Sequence, residues 1–173
     1  TPLSITVDAL SETVSGKPVA GLLDSAGRFT GADLTRLTGT LWSGTVMADA
    51  GGSAEGTATV SARAVDGAGN TGIGTTTIFI DLTPPASPSG LSGVLSGPSE
   101  VRLGWLANQE SDLAGYLVMR DAIVLSGSLI PPSLAQVISY LDSISATAQS
   151  EALYQVVAGD LAGNRSAPSA VLV

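Results

Sequence analysis

Short stretches with the composition of β-strands recur along the chain. Residues 57–64 show the pattern most clearly, because Ala58, Val60, Ala62 and Ala64 fall on one face and polar residues on the other. Further strand-like runs occupy residues 73–80 and 101–105. Glycine, proline, serine and threonine separate these runs, as expected for strands that are joined by tight turns. The pattern therefore predicts an all-β chain built from many short strands.

Two turns share the motif Asp-x-Ala-Gly-Asn, first at residues 66–70 and again at residues 160–164. The copies lie 94 residues apart, a spacing that fits one β-sandwich of about 100 residues per copy. Glycine and asparagine tolerate positive φ, and an aspartate carboxylate accepts backbone N–H groups across such a turn. A calcium site would need several converging oxygens, whereas each turn offers only a carboxylate and an amide. We therefore interpret both motifs as structural.

A proline-rich segment divides the chain. Residues 83–88, Thr-Pro-Pro-Ala-Ser-Pro, hold its densest cluster of prolines. Because proline favours extended backbone and cannot donate to a sheet, we predict a short, stiff linker here. The predicted domains are residues 1–82 and residues 83–173. Residues 1–3 resemble the start of the linker, so we expect a further domain to precede them in the full protein.

The second predicted domain carries strand and turn signals in a particular order. Val101, Leu103 and Trp105 share one face, which makes Trp105 a predicted core residue. The ordered positions are Pro84-Pro85, Gly90-Leu91, Trp105, Gly115-Tyr116-x-Val118, Tyr140-x-Asp142, Tyr154-x-Val156-x-Ala158 and the turn from Asp160 to Asn164. This order resembles a fibronectin type III domain of the kind found in bacterial secreted and surface proteins.

The resemblance implies a stabilising role for Tyr154. It would be the tyrosine at the corner before the sixth strand, with a buried ring and a hydroxyl bonded to upstream backbone. A final strand is expected at residues 170–173. The segment at residues 126–150 departs from the family pattern. Within it, residues 131–138 form either a short helical turn capped by Ser133 or an edge strand after a proline break.

The first predicted domain carries a different order of motifs. A glycine-flanked strand holds Trp42, residues 55–56 are Glu-Gly, and residues 80–85 are Ile-Asp-Leu-Thr-Pro-Pro. This order resembles the bacterial Ig-like repeats of large surface proteins. Trp42 precedes its turn motif by 24 residues and Trp105 precedes its own by 55, so the two domains are not recent copies of one another. Together the resemblances imply two tandem Ig-like and fibronectin type III β-sandwiches.

Composition and charge narrow the possible functions. The 173 residues include no histidine and no cysteine, which excludes imidazole and thiolate catalysis, His or Cys metal sites and disulfides. The formal net charge of -8 leaves no basic patch for nucleic acid. No apolar run reaches the length of about 18 residues that a spanning helix needs, so we predict no membrane insertion.

No combination of residues predicts a catalytic or cofactor site. The 15 acidic residues are scattered, so no carboxylate pair indicates glycoside hydrolysis, and a Ser-Lys dyad would depend on Lys17, the only lysine. We therefore predict a protein that is not an enzyme and that has no catalytic residue and no cofactor. Calcium binding by Asp24, Glu55 and Asp81 at the junction between the domains stays open, because oxygen ligands suffice for it.

Binding is the remaining class of function. A carbohydrate surface needs exposed planar rings, and only 4% of the residues are aromatic. Most of these rings fall at predicted core positions, which leaves Trp42 and Phe29 as candidates, although Phe29 also suits the start of a strand. A protein partner would use loops or an unpaired edge strand.

We therefore expect non-catalytic spacer or adhesion modules of a larger secreted or cell-surface bacterial protein. The partners would be an unidentified protein or polysaccharide and the neighbouring domains of the same polypeptide. The alternative is an accessory, carbohydrate-binding region of a secreted hydrolase.

Overall fold

The computed structural model describes residues 2–8, 15–48, 52–144 and 151–173. Within these ranges every regular element is a β-strand and the strands pair antiparallel, which confirms the prediction of an all-β chain. The chain divides into two compact units, unit 1 at Thr1–Leu82 and unit 2 at Thr83–Val173. Among the described residues, no helix is long and apolar enough to cross a membrane.

The described part of unit 1 forms two antiparallel sheets. One sheet has the strand order β1-β5-β4 and the other the order β3-β2-β6-β7. The strands are β1 (Pro2–Asp8), β2 (Val19–Leu23), β3 (Phe29–Ala32), β4 (Thr35–Thr38), β5 (Leu41–Met47), β6 (Gly56–Val65) and β7 (Thr71–Ile80). The core between the sheets consists of Ile5, Ala20, Leu22, Leu34, Val46, Ala58, Val60 and Ile80.

Strand β6 shows how the alternation builds this core. Of the predicted inward residues, Ala58 and Val60 are buried, and Ala62 and Ala64 are half-buried. Thr57 and Arg63 on the opposite face are exposed. Because successive side chains of a strand point to opposite faces, each second residue of β6 meets the facing sheet. The buried positions hold small side chains, so unit 1 has a core of low aromatic content.

The described part of unit 2 also forms two sheets around one core. The strand orders are β11-β10-β13 and β12-β9-β8. The strands are β8 (Ser89–Gly97), β9 (Glu100–Leu106), β10 (Leu113–Arg120), β11 (Ile123–Val124), β12 (Val137–Ser143) and β13 (Tyr154–Asp160). The core residues are Leu103, Trp105, Leu113, Tyr116, Val118, Ile138, Tyr154, Val156 and Ala158.

Trp105 lies at the centre of the core of unit 2, as the sequence predicted. Its side chain is 0% exposed, and its ring meets that of Tyr116 edge to face, with centroids 5.4 Å apart and planes at 69°. Aromatic pairs favour this arrangement because the positive ring edge meets a negative ring face. The hydroxyl of Tyr116 accepts the backbone N–H of Asn108 at 2.7 Å. One aromatic pair thus joins β9 to β10 on the facing sheet.

The expected final strand at residues 170–173 is wrong. Leu172 forms only an isolated bridge to Tyr154, and the chain before it runs beside β13 without a regular ladder. The physical reason is that serine hydroxyls replace backbone acceptors there. The hydroxyl oxygens of Ser166 and Ser169 accept N–H groups from Ala158 and Val156, at 2.9 and 3.0 Å.

The segment at residues 131–138 contains an edge strand rather than a helical turn. Ser133 Oγ accepts the N–H of Ala135 at 3.1 Å, which makes a bend, and β12 begins at Val137. The second of the two sequence interpretations is therefore the correct one. The end of the segment in question, residues 145–150, lies outside the described residues.

Replacing Trp105 with alanine should lower the free energy of unfolding of unit 2 by about 3 to 5 kcal/mol, because it leaves a large cavity in the core. The matched control is Leu95→Ala on the exposed face of β8, where the side chain is 74% exposed and the expected loss is about 0.5 kcal/mol or less. Urea unfolding of both variants measures the difference. A loss below about 1 kcal/mol for Trp105→Ala contradicts its core role.

Candidate functional site

The carboxylate of Asp66 holds the turn between β6 and β7. Its Oδ1 accepts the backbone N–H groups of Ala68 and Asn70 at 2.8 Å, and its Oδ2 accepts the side-chain amide of Asn70 at 2.7 Å. Gly69 has a φ of 90°, the left-handed conformation that glycine adopts without steric cost. The carboxylate therefore closes the hairpin, as predicted.

The turn after β13 repeats this arrangement. Asp160 Oδ1 accepts the N–H of Asn164 at 2.8 Å, Oδ2 accepts its side-chain amide at 2.9 Å, and Gly163 has a φ of 93°. Asp160 is buried, whereas Asp66 is half-buried. Both carboxylates therefore accept hydrogen bonds within their own turns, as the structural interpretation of the repeated motif predicts.

A third turn of the same design joins β2 to β3, and the sequence analysis missed its likeness to the others. Asp24 Oδ1 accepts the N–H groups of Ala26 and Arg28 at 3.0 and 2.8 Å, and Gly27 has a φ of 81°. Asp24 Oδ2 accepts the N–H of Ala54 at 2.9 Å, which ties the turn to the loop before β6. The sequence here is Asp-Ser-Ala-Gly-Arg, and a search for Asp-x-Ala-Gly finds it together with residues 112–115, where β10 begins instead.

These bonds hold Asp24 in its ionised form. The N–H of Arg28 contributes most to lowering the pKa of Asp24 below its ordinary value of 3.8, and the N–H of Ala54 contributes next. A carboxylate that accepts several N–H groups is stabilised as the anion. Asp24 therefore stabilises the fold at neutral pH by joining two loops of unit 1.

The three residues considered as calcium ligands differ in their hydrogen bonds and in their exposure. Asp24 accepts backbone N–H groups at both oxygens, Glu55 is exposed, and Asp81 is half-buried after β7. Within the part of the chain that the structure describes, these carboxylates do not form one group of converging oxygens. Because calcium needs several such oxygens, the geometry of unit 1 lends no support to this set of ligands.

Two carboxylates of unit 2 approach each other, although the sequence indicated no acidic pair. Carboxylate oxygens of Asp112 and Asp160 lie within 4.8 Å of one another. The N–H of Leu161 donates to the backbone oxygen of Asp112 at 2.8 Å, so the loop before β10 is bonded to the turn after β13. Because Asp160 already accepts two bonds from Asn164, we attribute this pair to the packing of the turn.

Lys17 forms an ion pair with Asp33 on the surface of unit 1. The ammonium lowers the pKa of Asp33, first through a hydrogen bond and then through its charge. A Ser-Lys dyad needs a neutral lysine that accepts a proton, which is the opposite state from this donating ammonium. The contacts of Lys17 therefore give no support to a catalytic role.

The rings of unit 2 point inward, whereas unit 1 exposes two phenylalanines. Trp105, Tyr116 and Tyr154 are buried. By contrast, Phe29 is 52% and Phe79 69% exposed. Phe29 also begins β3, which confirms the strand interpretation of this residue.

The two aromatic candidates for sugar binding differ in their surroundings. The ring of Phe29 lies over Gly21, since a Cβ on that glycine would be 2.5 Å from Phe29 Cζ. Trp42 is half-buried, and the guanidinium of Arg36 lies 5.8 Å from the centre of its ring. A cation at this distance occupies the ring face that a sugar would need. Phe29 is therefore the more accessible ring of the two.

A network of the half-buried Arg120 and the buried Asp142 and Tyr154 joins the two sheets of unit 2. Tyr154 donates its hydroxyl to Asp142 Oδ2 at 2.7 Å, and Arg120 Nη1 donates to the same oxygen at 2.5 Å. The expectation that the hydroxyl binds upstream backbone is therefore wrong. The reason is that β12 places a charged acceptor within its reach, and charged acceptors form stronger hydrogen bonds than neutral ones. Burial, and then the hydrogen bond to Asp142, raise the pKa of Tyr154 to about 12.

Comparison with known proteins identifies the fold. No protein-family model and no curated protein matches the chain. The structure is similar to that of the chicken CNTN1 FN1–FN3 domains, with a TM-score of 0.58 and 16% identity over 99% of this chain and 61% of that chain. At this identity the similarity shows the fold alone, which is the Ig/fibronectin-like β-sandwich.

Two further solved structures are less similar. The spore cortex lytic enzyme SleM of Clostridium perfringens is 28% identical over 53% of this chain and 29% of that chain, with a TM-score of 0.43. Murine CEACAM1b is 11% identical over 95% of this chain and 89% of that chain, with a TM-score of 0.38. Similarities this low add nothing to the assignment of fold or function.

Replacing Asp24 with asparagine should destabilise unit 1 at neutral pH, because the charged acceptor for Ala54 and Arg28 is lost. The lowered pKa of Asp24 means that its contribution is present above pH 3.8 and is lost as the pH falls through the folded-state value. The difference in melting temperature between the wild type and D24N should therefore shrink below about pH 4. Glu151→Gln, which removes an exposed charge, is the control, and a difference that stays constant with pH contradicts the prediction.

Replacing Tyr154 with phenylalanine should cost about 1 to 3 kcal/mol at pH 7, since Asp142 loses a buried donor. The pKa of Tyr154 is raised from 10.0 to about 12 by folding. The stabilisation by the hydroxyl is thus complete below pH 10 and is lost as the pH rises toward 12. Urea unfolding at several pH values should show a steeper alkaline decline for the wild type than for Tyr154→Phe. Tyr140→Phe, on β12, is the control and should keep the wild-type decline.

Proposed function

We propose that the chain is a pair of non-catalytic modules, a spacer or adhesion unit, of a larger secreted or cell-surface bacterial protein. Unit 1 would be a bacterial Ig-like repeat and unit 2 a bacterial fibronectin type III domain. The observation that carries the proposal is the use of the motif carboxylates. Asp24, Asp66 and Asp160 each accept donors of their own turns and so stabilise those turns.

The other polar groups with potential chemistry support the same proposal. Asp142 accepts Arg120 and Tyr154 inside the core of unit 2, and Lys17 is paired with Asp33. The chain has neither histidine nor cysteine, so imidazole bases and thiolate nucleophiles are absent from its sequence. A module that stays folded outside the cell without disulfides fits this composition.

The alternative is an accessory region of a secreted hydrolase that binds a polysaccharide weakly. The exposed ring of Phe29 favours it, because planar rings pack against the apolar faces of sugars. Phe79 adds a second exposed ring on the same sheet of unit 1. Carbohydrate platforms generally combine several rings, and the remaining candidate, Trp42, already contacts Arg36.

If the proposal is correct, an antibody against this chain should label intact cells of the source organism or detect the protein in the culture medium. Detection only after lysis would contradict the secreted or surface location. The purified chain should also give no reproducible signal on a glycan array or in sedimentation with insoluble polysaccharides. Binding that Phe29→Ala abolishes and Leu95→Ala leaves unchanged would instead establish the alternative.

A further inference from the structure

Strand β7 forms a free edge of the four-stranded sheet of unit 1. It pairs with β6 through ten consecutive residues without a bulge, and no described strand pairs with its other side. Residues 71–77 are all exposed. A long, regular edge strand presents a row of backbone donors and acceptors to any strand that can lie beside it.

The features that usually protect an edge are missing from β7. Its sequence, Thr-Gly-Ile-Gly-Thr-Thr-Thr-Ile-Phe-Ile, contains no charged residue and no proline. The other edge strand of the same sheet, β3, has only four residues, and the edge strand β8 of unit 2 is interrupted by register shifts. Charge, proline, bulges and short length all discourage edge pairing. Strand β7 has none of them.

The hydrogen bonds around β6 show which groups of β7 face outward. The backbone oxygen of Val65 accepts the N–H of Ser15 at 2.7 Å and so points away from β7. Thr71 lies opposite Val65 and therefore directs its own N–H and C=O toward the free edge. Because the direction alternates along an antiparallel strand, every second residue from Thr71 to Phe79 does the same.

The outward side chains of β7 are complementary to a second copy of the strand. Ile73 is 70% and Phe79 69% exposed, and both lie on the outer face of the sheet. An antiparallel pair centred on Thr76 places Ile73 of one copy opposite Phe79 of the other, and Thr75 opposite Thr77. Pairs of an aromatic and a β-branched residue are favourable across antiparallel strands. The two-fold symmetry forms each of these pairs twice.

The charges near β7 do not oppose such a contact. The chain carries a net charge of -8, which generally repels a second copy. The side chains of β6 beside the outward residues of β7 are those of Thr57, Thr59, Ser61 and Arg63. None of them is acidic, and the nearest acidic residues along the chain, Asp66 and Asp81, lie beyond the two ends of β7.

We propose that β7 pairs antiparallel with β7 of a second copy of this chain, with the two-fold axis at Thr76. The pairing would join two four-stranded sheets into one continuous sheet. A self-complementary patch on a two-fold axis is the usual basis of a homodimer. The inference rests on the geometry of unit 1 and is independent of the proposed function.

Sedimentation equilibrium of the whole chain tests the proposal. The mass should rise from 17.2 kDa toward twice that value as the concentration increases from about 1 to about 300 µM. The double variant T75K/T77K brings like charges opposite each other and should weaken the dimer at least about tenfold. T75K/T77E brings opposite charges together at the same positions and should restore the dimer. Thr57→Lys, on the neighbouring strand β6, should leave the dimer unchanged. This control distinguishes pairing at the β7 edge from stacking of two sheet faces.

Cysteine cross-linking tests the register. The chain has no cysteine of its own, and the axis brings the two copies of Thr76 directly opposite each other. Mild oxidation should convert T76C into a disulfide-linked dimer, whereas the neighbouring variant T77C faces Thr75 and should stay uncross-linked. A mass that stays at 17.2 kDa at every concentration overturns the proposal. So does a dimer that T75K/T77K leaves intact, or equal cross-linking of T76C and T77C.

Discussion

The hydrogen bonds between an aspartate carboxylate and the backbone of its own turn are the interaction on which both units depend. Asp24 orients the turn between β2 and β3, Asp66 that between β6 and β7, and Asp160 the turn after β13. Turn geometry sets the register of the strands that it joins, and a shift by one residue would move every core side chain to the solvent face. In unit 1 the carboxylates of Asp24 and Asp66 thus fix the register of two hairpins, whereas Asp160 holds the turn that leads from β13 into the irregular C-terminal segment.

The two units fill their cores with different side chains, and this difference determines which apolar side chains remain on their surfaces. Unit 2 places Trp105 and Tyr116 between its sheets, so its large rings contribute to stability. Unit 1 fills comparable positions with small residues such as Ala20 and Ala58. Its phenylalanines lie on the outer face instead, which gives unit 1 more apolar surface for binding. Any interaction through aromatic side chains is therefore expected on unit 1.

Local sequence patterns predicted the strands well, but they did not predict contacts between residues that lie far apart in the chain. The alternation in β6 and the core position of Trp105 follow from periodicity, which acts within one strand. The acceptor for the Tyr154 hydroxyl could not be predicted in this way, because Asp142 lies on another strand in the opposite sheet. The third turn was missed for a different reason: Arg28 occupies the place of the asparagine, although the carboxylate needs only backbone donors there. The shorter pattern Asp-x-Ala-Gly is not sufficient either, because residues 112–115 match it and lead into β10.

Strands β13 and β7 both lie at the edge of a sheet, and they differ in whether a described segment satisfies their outward N–H and C=O groups. Beside β13, the chain supplies its own partner, since Ser166 and Ser169 accept the N–H groups of Ala158 and Val156 through their hydroxyls. Their own N–H groups donate to the backbone oxygens of the same two residues. An irregular segment therefore satisfies this edge without forming a strand. No described segment does so for β7, whose outward donors and acceptors form a regular row. A second β7 matches that row residue by residue, because an antiparallel strand related by a two-fold axis presents the same spacing in reverse.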